Sequence, residues 1–421
     1  MMKDNNSRRQ FLQLLSITAP SLLVANRLLA QIPDTINPGI TPYPNNWLPV
    51  GIRSRFVDNV NGLRVHVLES GYETPNRPVL LLLHGFPELA YSWRKIMIPL
   101  ASAGYHVIAP DLRGYGRTTG WSSDYGTDLT PFRMLNKVRD AIGLVSAFGY
   151  RYVDGVIGHD FGSPMAAWCA VTRPDIFRSV VMMSAPFGGT PLIPFNTINN
   201  PSVERSGGPN IYDNLASLSR PRKHYQRYYT TREANEHMWH AEQGLSNFIR
   251  AYYHHKSADW DDNKPYRLAA RTAEEWAKMP TYYIMDLNEN MAETVAKVMP
   301  TAAENASNTW LTEAELAVYA AEYGRTGFQG GLNSYRMGAT GIGSAEMQLY
   351  TGKTIDQPSM FISGLSDWGT YQSPGSFERM QERSCTDMRS VHLVEGAGHW
   401  VQQEQGIETS RLILAFLDTL V

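Results

Sequence analysis

Gly158-His159-Asp160-Phe161-Gly162 sets a carboxylate midway between two glycines. A sharp turn from a strand into a helix needs small residues two places before and two places after its tip, and it thrusts the central side chain out at the strand end. The N-terminus of a following helix favours an anion at that point. An aspartate there is either an ordinary N-cap or a nucleophile. Two later segments bear on the choice. Ser363-Gly364-Leu365-Ser366-Asp367 ends one apolar run with an acid, and Gly396-Ala397-Gly398-His399-Trp400 follows the next run with a histidine. Asp160, Asp367 and His399 therefore occur in the order nucleophile, acid, base, which favours a catalytic Asp160 with His399 as general base and Asp367 orienting it. His84-Gly85-Phe86-Pro87-Glu88 closes an earlier apolar run. The backbone N–H of Phe86, with that of Phe161, can hold a developing oxyanion. Asp111-Leu112-Arg113-Gly114-Tyr115-Gly116 stands in a similar position and reads as structural.

A carboxylate nucleophile selects its electrophile. It needs no deprotonation, and attack on an alkyl carbon gives an ester whose carbonyl water can then open. A serine attacking the same carbon would leave an ether that no such machinery hydrolyses. Ester and amide cleavage through an acyl-serine is thereby excluded.

Positioning these residues requires strands that end where the motifs begin. Val79 to Leu83, Val107 to Ala109, Val153 to Ile157, Val180 to Ser184, Met360 to Ser363 and Val391 to Val394 are short apolar runs of buried-strand type. Trp93 to Ala103, Leu129 to Phe148 and Ser163 to Thr172 are helical stretches between them. Arg53 to Val60 and Leu63 to Glu69 alternate around Asn61-Gly62 and predict a hairpin. The pattern predicts an α/β fold with a mostly parallel central sheet covered by helices. The alternation stops after Pro186, and Tyr, Trp, Met and charged residues then recur at helical spacing to about Tyr350. Thr312 to Glu315 predicts a capping box opening one of these helices. The expected division is a core over 53–186 and 351–421 interrupted by a helical cap over 187–350.

The rest of the chain narrows the setting. Lys and Arg number 38 against 40 Asp and Glu, so no basic balance points to nucleic acid. No Cys/His run has metal-ligand spacing, and the proposed chemistry needs neither metal nor organic cofactor. Cys169 and Cys385 cannot make a disulfide framework, and Cys169 reads as a core residue. Ser7-Arg8-Arg9-Gln10-Phe11-Leu12 followed by the short apolar stretch Leu14 to Ala25 is similar to a twin-arginine export signal, expected over 1–30, with Leu28-Leu29-Ala30 as cleavage region. A Pro- and Asn-rich extended arm is expected over 31–52. These features predict an exported, periplasmic or secreted protein with no permanent membrane span. Its oligomeric state is not legible.

His84 to Glu88 with Ser92-Trp93-Arg94, Asp111 to Gly116, and the Asp160 turn together resemble the α/β-hydrolase-fold epoxide hydrolases, from about Arg53 to the C-terminus. Haloalkane dehalogenases share much of this pattern. The resemblance implies an epoxide and water as substrates, and two cap tyrosines that donate to the opening ring. Tyr225, in His224-Tyr225-Gln226-Arg227-Tyr228-Tyr229, is similar to the first, with Tyr228 and Tyr229 as close rivals. Tyr335, in Gly327-Phe328-Gln329-Gly330-Gly331-Leu332-Asn333-Ser334-Tyr335-Arg336, is similar to the second. Pro87 and Trp400 are expected to line the substrate pocket. A dehalogenase instead holds the departing halide with N–H donors, usually including an indole on the residue after the nucleophile; here that residue is Phe161, which has none. It also departs from the Trp common there in epoxide hydrolases. Hydrolytic dehalogenation is the alternative, marked by halide release without diol formation. A non-catalytic binding protein of the same fold is the rival from another class, marked by failure to form any covalent adduct with reactive epoxides.

Overall fold

The computed structural model describes residues 39–192 and 210–420. The expected export signal lies outside them, as does the first part of the expected arm. The arm's described part carries a short 3-10 turn at Asn45–Trp47 and buries Tyr43.

The core chain runs β1 (Ile52–Val60), β2 (Leu63–Ser70), β3 (Val79–Leu83), α1 (Arg94–Ser102), β4 (His106–Pro110), α2 (Met134–Ala147), β5 (Gly155–His159), α3 (Gly162–Thr172) and β6 (Val180–Met183). An insertion follows, with β7 (Arg222–His224), α4 (Tyr225–Tyr228), α5 (Leu245–Lys256), β8 (Ile284–Asp286), α6 (Glu313–Thr326) and α7 (Gln329–Thr340) among shorter helices. The core resumes with β9 (Ser359–Gly364), β10 (Met388–Val394) and α8 (Gly406–Asp418). The eight core strands form one sheet in the order β1-β2-β4-β3-β5-β6-β9-β10. β1 and β2 are the predicted hairpin, and every pairing from β4 to β10 is parallel.

The continuous apolar runs follow from burial on both faces. Leu80 and Leu82 of β3 pack on one side with Ile96 and Leu100 of α1 and Ile413 and Phe416 of α8. Val79, Leu81 and Leu83 face the other side, against Val138 and Leu144 of α2 and Met165 and Cys169 of α3. Cys169 and Cys385 are both free and buried. Among the described residues no helix is long and apolar enough to cross a membrane.

The insertion is not purely helical. β7 and β8 form an antiparallel ribbon, and three residues per strand are too few to leave an alternating pattern in the sequence. Thr312 does cap α6, its side chain accepting from the Glu315 N–H while Glu315 reaches back to the Thr312 N–H. Arg94 joins the insertion to the core. It donates to Glu315 at 2.8 Å, to Gln403 at 2.8 Å and to the Trp310 carbonyl at 3.3 Å.

Candidate active site

The turn between β5 and α3 is as tight as its glycines suggest. A Cβ on Gly158 would lie 1.9 Å from the Gly162 carbonyl oxygen, and one on Gly162 would lie 1.9 Å from that of Leu83. Asp160 takes a left-handed φ of 51° at the tip, a conformation Asp tolerates better than most residues but which still costs about 1 kcal/mol. The turn aims its carboxylate at the ends of the neighbouring strands.

There Phe86 N–H donates to Asp160 Oδ1 at 2.9 Å. His399 Nε2 stands 3.4 Å from Oδ2. On the other side of that ring, Nδ1 lies 3.1 Å from Asp367 Oδ1 and 2.9 Å from Ser184 Oγ. Asp367 is itself held by the Gly369 N–H at 2.7 Å and the Ser363 hydroxyl at 3.0 Å. Burial opposes ionisation of both aspartates. Beside His399, and with hydrogen bonds from their neighbours, both nonetheless stay charged: Asp367 falls to about 2, and Asp160 falls well below the ordinary carboxylate range. Asp160, Asp367 and His399, far apart in the chain, are therefore brought together. The Phe161 N–H, at the foot of α3, makes no hydrogen bond to the resting carboxylate.

Tyr225 and Tyr335, both from the insertion, stand near enough to Asp160 to feel its charge, and the Tyr225 hydroxyl donates to Gln372 at 3.4 Å and accepts from Gln226 at 3.1 Å. Their rings are 5.9 Å apart, and Tyr335 packs edge-on to Phe161 at 4.6 Å and to Phe86 at 5.4 Å. Burial, and then the Asp160 charge, keep Tyr225 protonated far above pH 10; burial, Tyr225 and Asp160 do the same for Tyr335. Of the two rivals, Tyr228 bonds His237 at 3.1 Å and Tyr229 donates to the Tyr252 hydroxyl at 3.2 Å. The glycines before Tyr335 explain its reach. A Cβ on Gly330 would lie 2.0 Å from the Gly114 carbonyl oxygen, and one on Gly331 would lie 2.7 Å from the Phe86 ring. Only bare backbone lets α7 settle this far onto the core. Asp111 secures the core side, accepting from the Ala90 and Arg117 N–H groups and from His66.

Pro87 follows Phe86 through a cis peptide bond, and its carbonyl accepts from the Tyr253 hydroxyl at 3.0 Å. Trp400 departs from expectation. Its ring has no accessible surface, stacks on Tyr253 at 4.1 Å and donates to the Tyr253 carbonyl at 2.9 Å. It supports His399 from behind and presents no face to a substrate, because the chain turns inward after the histidine.

Spacing alone did not single out several groups that surround the triad. His159 Nδ1 lies 2.6 Å from Glu88 Oε2, and its Nε2 lies 2.6 Å from the His399 carbonyl oxygen. Both ring nitrogens face acceptors, so the ring carries two protons. Burial resists that charge, but Glu88 outweighs it and raises the His159 pKa. Lys256, at the end of α5, is buried with its ammonium 5.0 Å from the Tyr283 ring centre and 5.3 Å from that of Trp400. Its carbonyl accepts the His399 N–H at 2.9 Å. Glu404 accepts the N–H groups of Gly398 and Trp400, on either side of His399, and that of Ala258 from the insertion. Glu88 and His159 sit inside motifs visible in the sequence. Lys256 and Glu404 have no local signature.

A family model described as alpha/beta hydrolase fold matches residues 78–405. The chain is 32% identical over 369 residues to epoxide hydrolase B of Mycobacterium tuberculosis, covering 86% of this chain and 97% of that protein. The chain belongs to the epoxide hydrolases of the α/β-hydrolase fold. An epoxide hydrolase of Caballeronia sordidicola is 29% identical over 360 residues, spanning 86% of this chain and 92% of the relative. Among solved structures, an epoxide hydrolase from an endophytic Streptomyces superposes with a TM-score of 0.67 at 30% identity, covering 88% of this enzyme and 97% of that chain. Potato (Solanum tuberosum) epoxide hydrolase I superposes with a TM-score of 0.65 at 28% identity, covering 87% and 99%.

Proposed function

We propose that the enzyme converts an epoxide to a vicinal diol through a covalent ester on Asp160. Asp160 attacks a ring carbon while the Tyr225 and Tyr335 hydroxyls donate to the oxygen, which leaves as an alcohol rather than a bare alkoxide. The acyl oxygen of the new ester then faces the N–H groups of Phe86 and Phe161. His399, oriented by Asp367, takes a proton from water, which adds to the ester carbonyl. On collapse the His399 imidazolium gives its proton to the departing alkoxide, and the carboxylic proton left on Asp160 returns to the tyrosinate, so the diol leaves with carboxylate, imidazole and tyrosine restored. The single observation that carries this reading is a carboxylate with a histidine 3.4 Å away and two buried, protonated tyrosines of the insertion within reach of its charge.

His399→Gln should alkylate but not hydrolyse. Intact mass spectrometry after mixing with a reactive epoxide should show an adduct of the whole epoxide mass, mapped to Asp160. Adducts from haloalkanes, each adding the substrate mass less HX, with none from any epoxide, would overturn the proposal in favour of dehalogenation.

We also propose that residues 1–30 direct twin-arginine export, on the strength of the Arg8-Arg9 pair and the apolar stretch after it. Replacing Arg8 and Arg9 with Lys should leave the enzyme in the cytoplasmic fraction of a bacterial host. Unchanged export of that variant would refute the assignment.

A further inference from the structure

Phe161 directly follows Asp160 in the chain, and the space behind it is occupied unusually. Lys137, on α2, places its ammonium 5.3 Å from the Phe161 ring centre and 2.8 Å from the Ser334 hydroxyl, one residue before Tyr335. Two spaces meet at these three residues. One is an inner cavity of about 30 Å³, walled by Leu81, Leu83, Tyr115 and Met165. The other is a groove of about 230 Å³ past Leu135, Met337 and Ile342. Lys137, Phe161 and Ser334 line both.

The cation is short of partners. Among the described residues no carboxylate lies within ion-pair distance of it. Asp140, one turn along α2, has its oxygens taken by Arg113 at 2.7 and 2.9 Å and by Asn61 at 2.6 Å. Asp111, also on the cavity wall, is held by His66 and backbone N–H groups. An ammonium has three N–H donors, and Ser334 takes one. Burial lowers Lys137 while the charge of nearby Asp140 opposes it, leaving it at about 8, so it remains mostly charged at neutral pH. The cavity wall is mostly apolar, its Asp111, Arg113 and Asp140 are already paired, and a desolvated cation with spare donors there suits an anion. The inner cavity exceeds the 10–15 Å³ a single water needs by about twofold, which is room for a carboxylate rather than for a ring.

Building on the epoxide hydrolase reading above, we infer that Lys137 and Ser334 form a carboxylate-binding subsite behind Phe161. The preferred substrate is then an epoxide bearing an acid a few bonds from the ring. The epoxide lies over Asp160, the intervening chain passes the Phe161 ring, and the acid becomes the missing partner of Lys137. A phenyl ring at position 161 suits this better than an indole, which would take up the space beside the ammonium.

The test uses terminal epoxyalkanoates of graded chain length, each paired with its methyl ester, on the full-length enzyme. For at least one length the acid should exceed its ester in kcat/KM by about tenfold, equivalent to about 1.4 kcal/mol. In Lys137→Met that ratio should fall to about one. The ratio cancels any general loss of folded or active enzyme. Phe161→Trp should also lower it, through a higher KM for the acid. Esters hydrolysed as well as acids at every length, or a ratio unchanged in Lys137→Met, would refute the subsite while leaving the epoxide hydrolase reading intact. If neither acids nor esters are hydrolysed, both fall together.

Discussion

The two halves of the proposed cycle depend on different protonation states, and the residues around Asp160 push those states in known directions. The nucleophile works deprotonated, and its pKa lies below the usual carboxylate range. The ring-opening tyrosines work protonated, and theirs lie well above 10. Alkylation should therefore be nearly flat between about pH 4 and pH 10. Rapid-quench measurement of the alkylation burst in the unsubstituted enzyme would check this, and a steep change within that window would contradict it. Tyr335→Phe and Tyr225→Phe should each slow adduct formation by about 10- to 100-fold, and the double variant by more. Hydrolysis of an adduct already formed should change far less, because the tyrosines face the departing oxygen and not the ester. Asp160, Asp367 and His399 were legible because each ends a strand in a short glycine-rich motif. The partners of His399 behind the ring, Ser184 and Lys256, come from segments with no such mark.

At the scale of elements, the site is assembled where one piece of chain must approach another without a side chain between. Gly162 lets α3 start against the end of β3, and Gly330 lets α7 touch the Gly114 loop. Gly330→Ala should push α7 outward, moving Tyr335 with it while leaving the core sheet folded. The expected result is a loss of about 100-fold in alkylation with little change in urea midpoint of the core. Retained alkylation would show that α7 can shift without cost. Gly162→Ala, by contrast, clashes with sheet backbone and should lower the yield of folded protein. Glycine spacing in the sequence marked the turn at Gly162 but not its neighbour β3, and it did not mark the contact at Gly330.

Across the whole molecule, the sheet edge carries a charge cluster remote from the site. Glu69 of β2 is buried, accepts from Arg53 at 3.0 Å, bonds Arg55, and lies 3.1 Å from His106 Nε2. Burial opposes its charge, yet these partners bring it from 4.5 down to about 2. A carboxyl whose folded pKa is depressed adds stability above its unfolded pKa and loses it as the pH falls through the folded value. Glu69 should therefore contribute about 3 kcal/mol at neutral pH, lost between about pH 4.5 and pH 2. Urea denaturation across that range should show this slope, and Glu69→Gln should flatten it; an equal slope in both proteins would refute the assignment. The order of the core strands and helices, the tight glycine turn and the carboxylate at its tip were determined by the sequence alone, because periodicity and backbone freedom are local properties. Only the tertiary structure decided which tyrosines come near Asp160, that Trp400 lies behind His399 and not before a substrate, and that Lys137 stands beside Phe161 with no carboxylate in ion-pair contact among the described residues. Those depend on how the insertion lands on the core, and that packing is set by contacts between residues far apart in the chain, such as Lys137 and Ser334, 197 positions apart.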